Sequence, residues 1–216
     1  MTHQKEPMIK HTIEALCRRS DEVARKSGWV DDKNMPSYAI ITALFHSELS
    51  EALEDYRNNK LVTEVWYECK GMTFGKDERD RSKEPPGDDP SYWKPCGVPV
   101  ELADFVIRIC QWAGTAKEEK ALQSDFCLHR EDTRRAAKDF GHLLAELHGL
   151  VSHAYREFEY EQRQDLQPKE YLLHLAGALA RLFVFCEASA IDLWAAIDEK
   201  EAYNRTRSFR HGGKKV

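Results

Sequence analysis

Acidic side chains gather in two short stretches of this 216-residue chain. The first, HSELSEALEDYR at 46–57, carries Glu48, Glu51, Glu54 and Asp55; the second, VELADFVIRICQWA at 100–113, carries Glu101 and Asp104. Like charges three and four residues apart repel one another on a helix surface, so such a grouping needs a reason. At about 100° per residue, Ile41, Phe45, Leu49, Ala52, Leu53 and Tyr56 form one apolar stripe of the first helix. Glu48, Glu51 and Asp55 run along its edge, while Glu54 falls toward solvent. The second stretch is apolar from Glu101 to Trp112 except for Glu101, Asp104, Arg108 and Gln111, which share one narrow stripe. A helix that is apolar on nearly all sides is a buried helix.

Buried carboxylates are costly unless they are paired or bind a cation. Arg108 can neutralise one of them, but not a site in which Glu101 and Asp104 face Glu48 and Glu51. Four oxygen donors from two helices suit a hard divalent ion, Mg2+ or Mn2+, which keeps several waters and takes further ligands from substrate phosphates. Asp55, one turn further on, is a candidate outer ligand. The bland alternative is a solvated acidic face, because ExxE on a helix surface is common; ExxD inside so apolar a helix is much rarer. Di-iron bundles use Glu-x-x-His pairs, and no histidine stands at that offset. His46 lies on a different side of its helix and reads as a surface or packing residue.

Helical periodicity must position these groups. It predicts helices over about 9–26, closed by Gly28, and 37–58 after Pro36, then the apolar third helix from 100 to 113. A polar connection and helices over about 130–160, 169–188 and 190–207 follow. Between about 60 and 95 half of the eight prolines and many charges read as a long loop. LVTEVWYECK, at its start, fits either a short strand or a helical turn. The fold class is therefore all-α, in a single domain over 1–216. LLAELHGLVSHAYRE (143–157) faintly echoes the first acidic stretch, and LLHLAGALARLFVF (172–185) echoes the third helix. Glu146 then stands for Glu48, Gly149 for Glu51, His174 for Glu101 and Gly177 for Asp104. A true repeat would make the second pair packing scaffold rather than a second site.

Composition bounds the partners. Hydrophobic residues at 42% and charged residues at 32% suit a soluble globular chain. The net charge of -5 argues against a general nucleic-acid binder, although Arg205, Arg207, Arg210, Lys214 and Lys215 make the C-terminal end locally basic. No apolar run approaches the roughly 20 residues of a membrane span, and MTHQKEPMIKH lacks the apolar core of a signal peptide. Six cysteines without a CxxC pair point to a reduced, cytoplasmic protein.

HSELSEALEDYR, KPCGVPVELADFVIRI and AIDEKEAYNRTRSFRHGGKK together resemble the MazG-like branch of the all-α nucleoside triphosphate pyrophosphohydrolases, a superfamily that shares its fold with dimeric dUTPases. Its ExxE and ExxD signatures fall on Glu48, Glu51, Glu101 and Asp104, and its K-x-x-x-N-x-x-R pattern falls on Lys200, Asn204 and Arg207. The resemblance covers 9–112 and 190–215. The spacing between Glu51 and Glu101 exceeds the family's habit, and 114–188 reads as a helical insertion that could stand where a second subunit's helices stand in dimeric relatives.

What the resemblance implies is Mg2+-dependent hydrolysis, with Mn2+ as a substitute, of a nucleoside triphosphate to monophosphate and pyrophosphate. Deoxynucleotides in pool house-cleaning would be the substrates, and a dimer or tetramer the assembly. Ions held by the four carboxylates would clamp phosphate oxygens and acidify a water, and Glu51 would orient or deprotonate it. Lys200, Asn204 and Arg207 share one helix face suited to phosphate. Arg57, Lys60 and Lys94 are further phosphate candidates that read as solvated; Trp66, Tyr92 and Trp93 could stack on a base or anchor their loop. The alternatives are a non-catalytic nucleotide- or cation-sensing interaction protein, and a nucleic-acid binder using the basic tail.

Overall fold

Local chemistry sets where the first two helices begin and where the first one ends. Thr12 accepts the Ala15 amide at 3.1 Å and opens α1 (Ile13–Lys26); Ser37 accepts that of Ile40 and opens α2 (Tyr38–Arg57). Such side chains satisfy amides that the first turn leaves unpaired. Gly28 stops α1 with φ 75°, and the Trp29 amide turns back to the Ala24 carbonyl at 2.9 Å. That six-to-one bond with a left-handed glycine is the Schellman ending of a helix, and it fixes where Trp29 goes.

The computed structural model describes residues 11–31, 35–58, 60–69, 93–133, 135–165 and 169–209. Among them lie seven helices and one two-stranded sheet. After α2 come β1 (Trp66–Cys69) and β2 (Trp93–Cys96), antiparallel with Trp66 opposite Cys96 and Cys69 opposite Trp93. LVTEVWYECK thus contains a strand, and the expected long loop is bounded by a ladder rather than open from 60 to 95; residues 70–92, Tyr92 among them, lie outside the described residues. The basic Arg210, Lys214 and Lys215 lie outside them too. Then come α3 (Val98–Thr115), α4 (Glu119–Asp132), α5 (Phe140–Gln164), α6 (Glu170–Ala188) and α7 (Leu193–Thr206).

The segment expected to be a polar connection is α4, and the helix expected from 130 starts at Phe140 instead. Asp139 caps α5, taking the His142 amide at 2.8 Å. α4 escapes a periodicity argument because Leu122 is its one fully buried side chain. The apolar stripe of α2 holds at Ile41, Phe45, Leu49 and Ala52, but Leu53 and Tyr56 are exposed, Tyr56 lying against the Phe140 ring at 4.9 Å.

Helix packing follows one scheme twice. α3 lies against α1 and α2; α6 lies against α4 and α5; α2 meets α5 and α1 meets α4. The same cross-helix ion pair recurs in each set: Arg108 of α3 binds Glu48 of α2, and Arg181 of α6 binds Glu146 of α5 at 3.0 Å. Glu146 is the residue that the sequence echo sets against Glu48. By length and hydropathy, α6 alone among the described residues could cross a membrane, but 67% of its apolar window is buried, as in a core helix. α7 packs on α3 and β2 and completes the half that carries the acidic residues.

Candidate functional site

Gly97 links β2 to α3 and sets the height of the site. Its φ is 120°, its amide is bonded to the Asp55 carboxylate, and a Cβ on it would stand 2.3 Å from the Glu64 carbonyl oxygen. Only glycine fits that close approach. Pro99 follows in the first turn, where its missing N–H costs nothing. One residue-pair later, Glu101 projects from the same turn. Asp55, expected as an outer ligand, instead anchors this junction.

Glu48 is 3% exposed and Glu101 4%. With the partly open Asp104 they each bring a carboxylate oxygen into a group whose atoms all lie within 4.8 Å of one another. Arg108 bonds Glu48. Lys200, itself 3% exposed, reaches in from α7 with Nζ 2.9 Å from Asp104 Oδ2 and 3.8 Å from Glu101 Oε2. Asn204, one turn on, gives its side-chain amide hydrogen to Asp104.

Three carboxylates this close, held by two cations, distribute charge unevenly. Burial pushes Glu48 up to about 7, with Arg108 opposing and the Asp104 and Glu51 charges assisting. Burial likewise pushes Glu101 up to about 7, against the pull of Lys200. Burial would raise Asp104 too, but Lys200 and Arg108, with the hydrogen bonds from Lys200 and Asn204, hold it below the usual carboxylate range. Burial opposes the Lys200 charge, yet Asp104 and Glu101 outweigh it and raise the ammonium. Burial thus leaves two of the three carboxyls partly protonated near neutrality, and a cation bound there would displace those protons. The ligand chemistry of the cluster, oxygen only and buried, could hold a divalent metal ion.

The group opens into a cleft of about 370 Å³ walled by α1, α2, α3, α7 and the β2 residue Lys94. Glu51 stands at its rim, exposed, accepting the Ser47 hydroxyl at 3.2 Å; it lines the cleft but lies outside the close carboxylate group. Arg207 lines the cleft as well, half-buried, its guanidinium 5.7 Å from the Tyr203 ring centroid. Lys94 is there too and is half-buried, not solvated as expected. Arg57 is exposed and does not line the cleft, and neither does Trp93, the strand neighbour of Lys94, since successive strand side chains face opposite ways. Lys60 covers the Trp66 ring at 4.7 Å, so both anchor the hairpin instead of meeting the cleft.

Residues that the acidic and basic motifs did not single out also line it. Val23, Trp29, Ile41, Leu44 and Ile107 supply apolar lining, and Ser20 lines it from α1. Trp29 is there because Gly28 turns the chain, a signal the sequence carries only as a helix stop. His46, read as a packing residue, stacks on His148 of α5 with ring centroids 5.0 Å apart. Comparison with protein-family models, with curated proteins and with solved structures finds no match to this chain.

Proposed function

We propose that the chain is a Mg2+-dependent nucleoside triphosphate pyrophosphohydrolase that releases pyrophosphate and a nucleoside monophosphate. The observation that supports it best is the group of Glu48, Glu101 and Asp104, within 4.8 Å of one another and opening into a cleft lined both by apolar side chains and by the cations Lys94, Lys200 and Arg207. A nucleotide presents both kinds of surface, an apolar base face and an anionic polyphosphate. A bound divalent ion supplies charge neutralisation at the phosphate oxygens and acidifies a water there.

The protein's own groups do the rest. Glu48, Glu101 and Asp104 are the ligands. Arg108 holds Glu48 in place, and Gly97 fixes the turn from which Glu101 projects. Lys200, Arg207 and Lys94 lie where they can pair with the phosphate oxygens, Lys200 exchanging a carboxylate partner for a phosphate one. Glu51, at the exposed rim, orients the attacking water and takes its proton. The apolar wall of Trp29, Ile41 and Leu44 excludes water around the base.

A screen of canonical and damaged nucleoside triphosphates for pyrophosphate release, with and without Mg2+, tests this reading. Release that needs the ion and disappears in Asp104→Asn supports it; no release from any triphosphate overturns it. One observation favours a second reading, a non-catalytic cation or nucleotide sensor. Lys200 already sits 2.9 Å from Asp104 and makes the cluster a partial ion-pair network. Nucleotide binding in calorimetry without turnover would select the sensor.

A further inference from the structure

Lys200 stands apart from the other lysine and arginine side chains of the cleft. Lys94 and Arg207 line it without an ion pair among the described residues, whereas the Lys200 ammonium lies 2.9 Å from Asp104 Oδ2 and 3.8 Å from Glu101 Oε2. The Lys200 side chain is 3% exposed, so its charge is enclosed with the two carboxylates it meets. Arg108, paired with Glu48, is more open, with 32% of its side chain exposed. Lys200 therefore sits against two of the three carboxylates that a metal ion would have to join.

Mg2+ bonds carboxylate oxygens at about 2.1 Å. On Asp104 Oδ2 it would lie within about 5 Å of the ammonium, whichever direction it takes. A double and a single positive charge repel at that separation, and in a buried place water screens them little. The charge count agrees. Glu48, Glu101 and Asp104 carry three negative charges when all are ionised, and Arg108 and Lys200 already offset two of them. A divalent ion added to that set leaves a positive charge uncompensated and buried, which is costly. A polyphosphate removes the conflict from both sides. It brings several negative charges, and its oxygens can take the ammonium that Asp104 and Glu101 release. Lys94 and Arg207, committed to no acid, are free to hold the polyphosphate in the cleft during that exchange.

We propose that Lys200 is an internal counterion that reserves the acidic group for a divalent metal ion arriving with a polyphosphate, weakening the hold on the free ion until phosphate oxygens take the ammonium. This rests on the nucleotide reading above and deepens it: the ligand that the site selects is the metal–triphosphate complex, and Lys200 opposes the free ion as well as binding phosphate. Metal and triphosphate then tighten each other's binding by the same factor.

The experiment uses the full chain, Mn2+ as the ion, and an α,β-methylene deoxynucleoside triphosphate, which cannot be cleaved between its α and β phosphates. Free Mn2+ is counted by electron paramagnetic resonance, first without nucleotide. Lys200→Met keeps most of the side-chain length and removes the charge; it is expected to bind Mn2+ about tenfold more tightly than the wild-type chain, a usual size for such coupling. Lys200→Arg restores the charge and the weaker affinity. A lysine that only braces the fold predicts a weaker site in Lys200→Met, and unchanged or weaker Mn2+ binding there overturns the proposal. Calorimetry of the analogue with and without Mn2+ reads the coupling, which falls in Lys200→Met; coupling as strong as in the wild-type chain also overturns it. If Lys200→Met does not fold, crystals of the wild-type chain soaked in Mn2+ alone decide the matter. Anomalous signal on Glu101 and Asp104 with Lys200 still at hydrogen-bond distance from Asp104 overturns the proposal, and an ion seated there only once the analogue is added supports it. Failure of the analogue to bind in the presence of Mn2+ overturns the nucleotide reading, while the nucleotide-free Mn2+ comparison judges Lys200 separately.

Discussion

Among single residues, the carboxylates were the part of the site most open to sequence reasoning. Glu48, Glu101 and Asp104 follow from helical spacing alone, because a charge on an otherwise apolar helix must have an unusual partner. Glu51 obeys the same spacing but ends on the rim, because the wheel gives an angle around α2 and not a distance to α3. Two predictions belong here. Asp104→Asn and Glu101→Gln each keep volume while removing a ligand, so pyrophosphate release falls by about a hundredfold or more; without metal, Glu101→Gln holds or raises the melting temperature because a buried charge is costly, whereas Asp104→Asn lowers it by leaving the buried Lys200 ammonium without its close partner. Differential scanning calorimetry and a pyrophosphate assay read both effects. The second prediction concerns pH. Glu48 and Glu101 titrate at about 7 in the folded chain, above the value of 4.5 expected of an ordinary glutamate. The native state then holds more protons than the unfolded one between these values, so stability without metal falls as pH rises through that window and the contribution is fully present below it. A divalent ion replaces those protons. Mg2+ at about a hundred times its Kd adds about 2.7 kcal/mol, or roughly 5–10 °C for a chain of this size. Melting curves are expected to show that gain at about pH 8 and little of it at about pH 5.

The helices and their junctions were less evenly legible. Strong periodicity located α2, α3 and α6, where apolar faces are wide. α4 was missed because Leu122 is its one fully buried residue, and Trp29 was missed because a left-handed glycine, not a periodic pattern, places it. Lys94 was read as solvated since nothing in sequence shows which face of a two-stranded ladder meets α3. The Gly97 junction carries its own prediction. In Gly97→Ala the new Cβ would stand 2.3 Å from backbone at Glu64, in a conformation that L residues avoid. The chain must shift, at a cost of about 1–3 kcal/mol, and the shift moves the turn that bears Glu101. Thermal melts should show the loss of stability, and cation titration a weaker site. Leu49→Ala, fully buried in the same core, costs a comparable or larger 2–5 kcal/mol yet leaves that turn untouched. A similar loss of cation affinity in both variants would contradict the role given to Gly97.

At the level of the whole molecule, the echo between the two pairs of helices proves to have a packing counterpart. α4–α6 repeat the arrangement of α1–α3, down to an ion pair between Arg181 and Glu146 that matches Arg108 and Glu48. What the second set lacks is an acid at the positions of Glu101 and Asp104, where His174 and Gly177 stand. Glu146→Gln is therefore expected to leave cation binding and pyrophosphate release unchanged and to alter stability by less than about 1 kcal/mol, as for other exposed pairs; Glu48→Gln removes both activities. A Glu146→Gln variant that loses cation affinity would show the second half to be part of the site. α5 already covers one face of α2, so any assembly of copies must use another surface. The ladder between β1 and β2 has an effect on evolution that its small size conceals. Because Cys69 and Trp93 are paired neighbours, the chain between them leaves and returns at one point. Each doubling of such a tethered excursion costs only about 0.6 kcal/mol. The interval separating the two acidic stretches is thus free to be lengthened, shortened or exchanged by insertion and deletion, while the distance between Glu48 and Glu101 stays as it is.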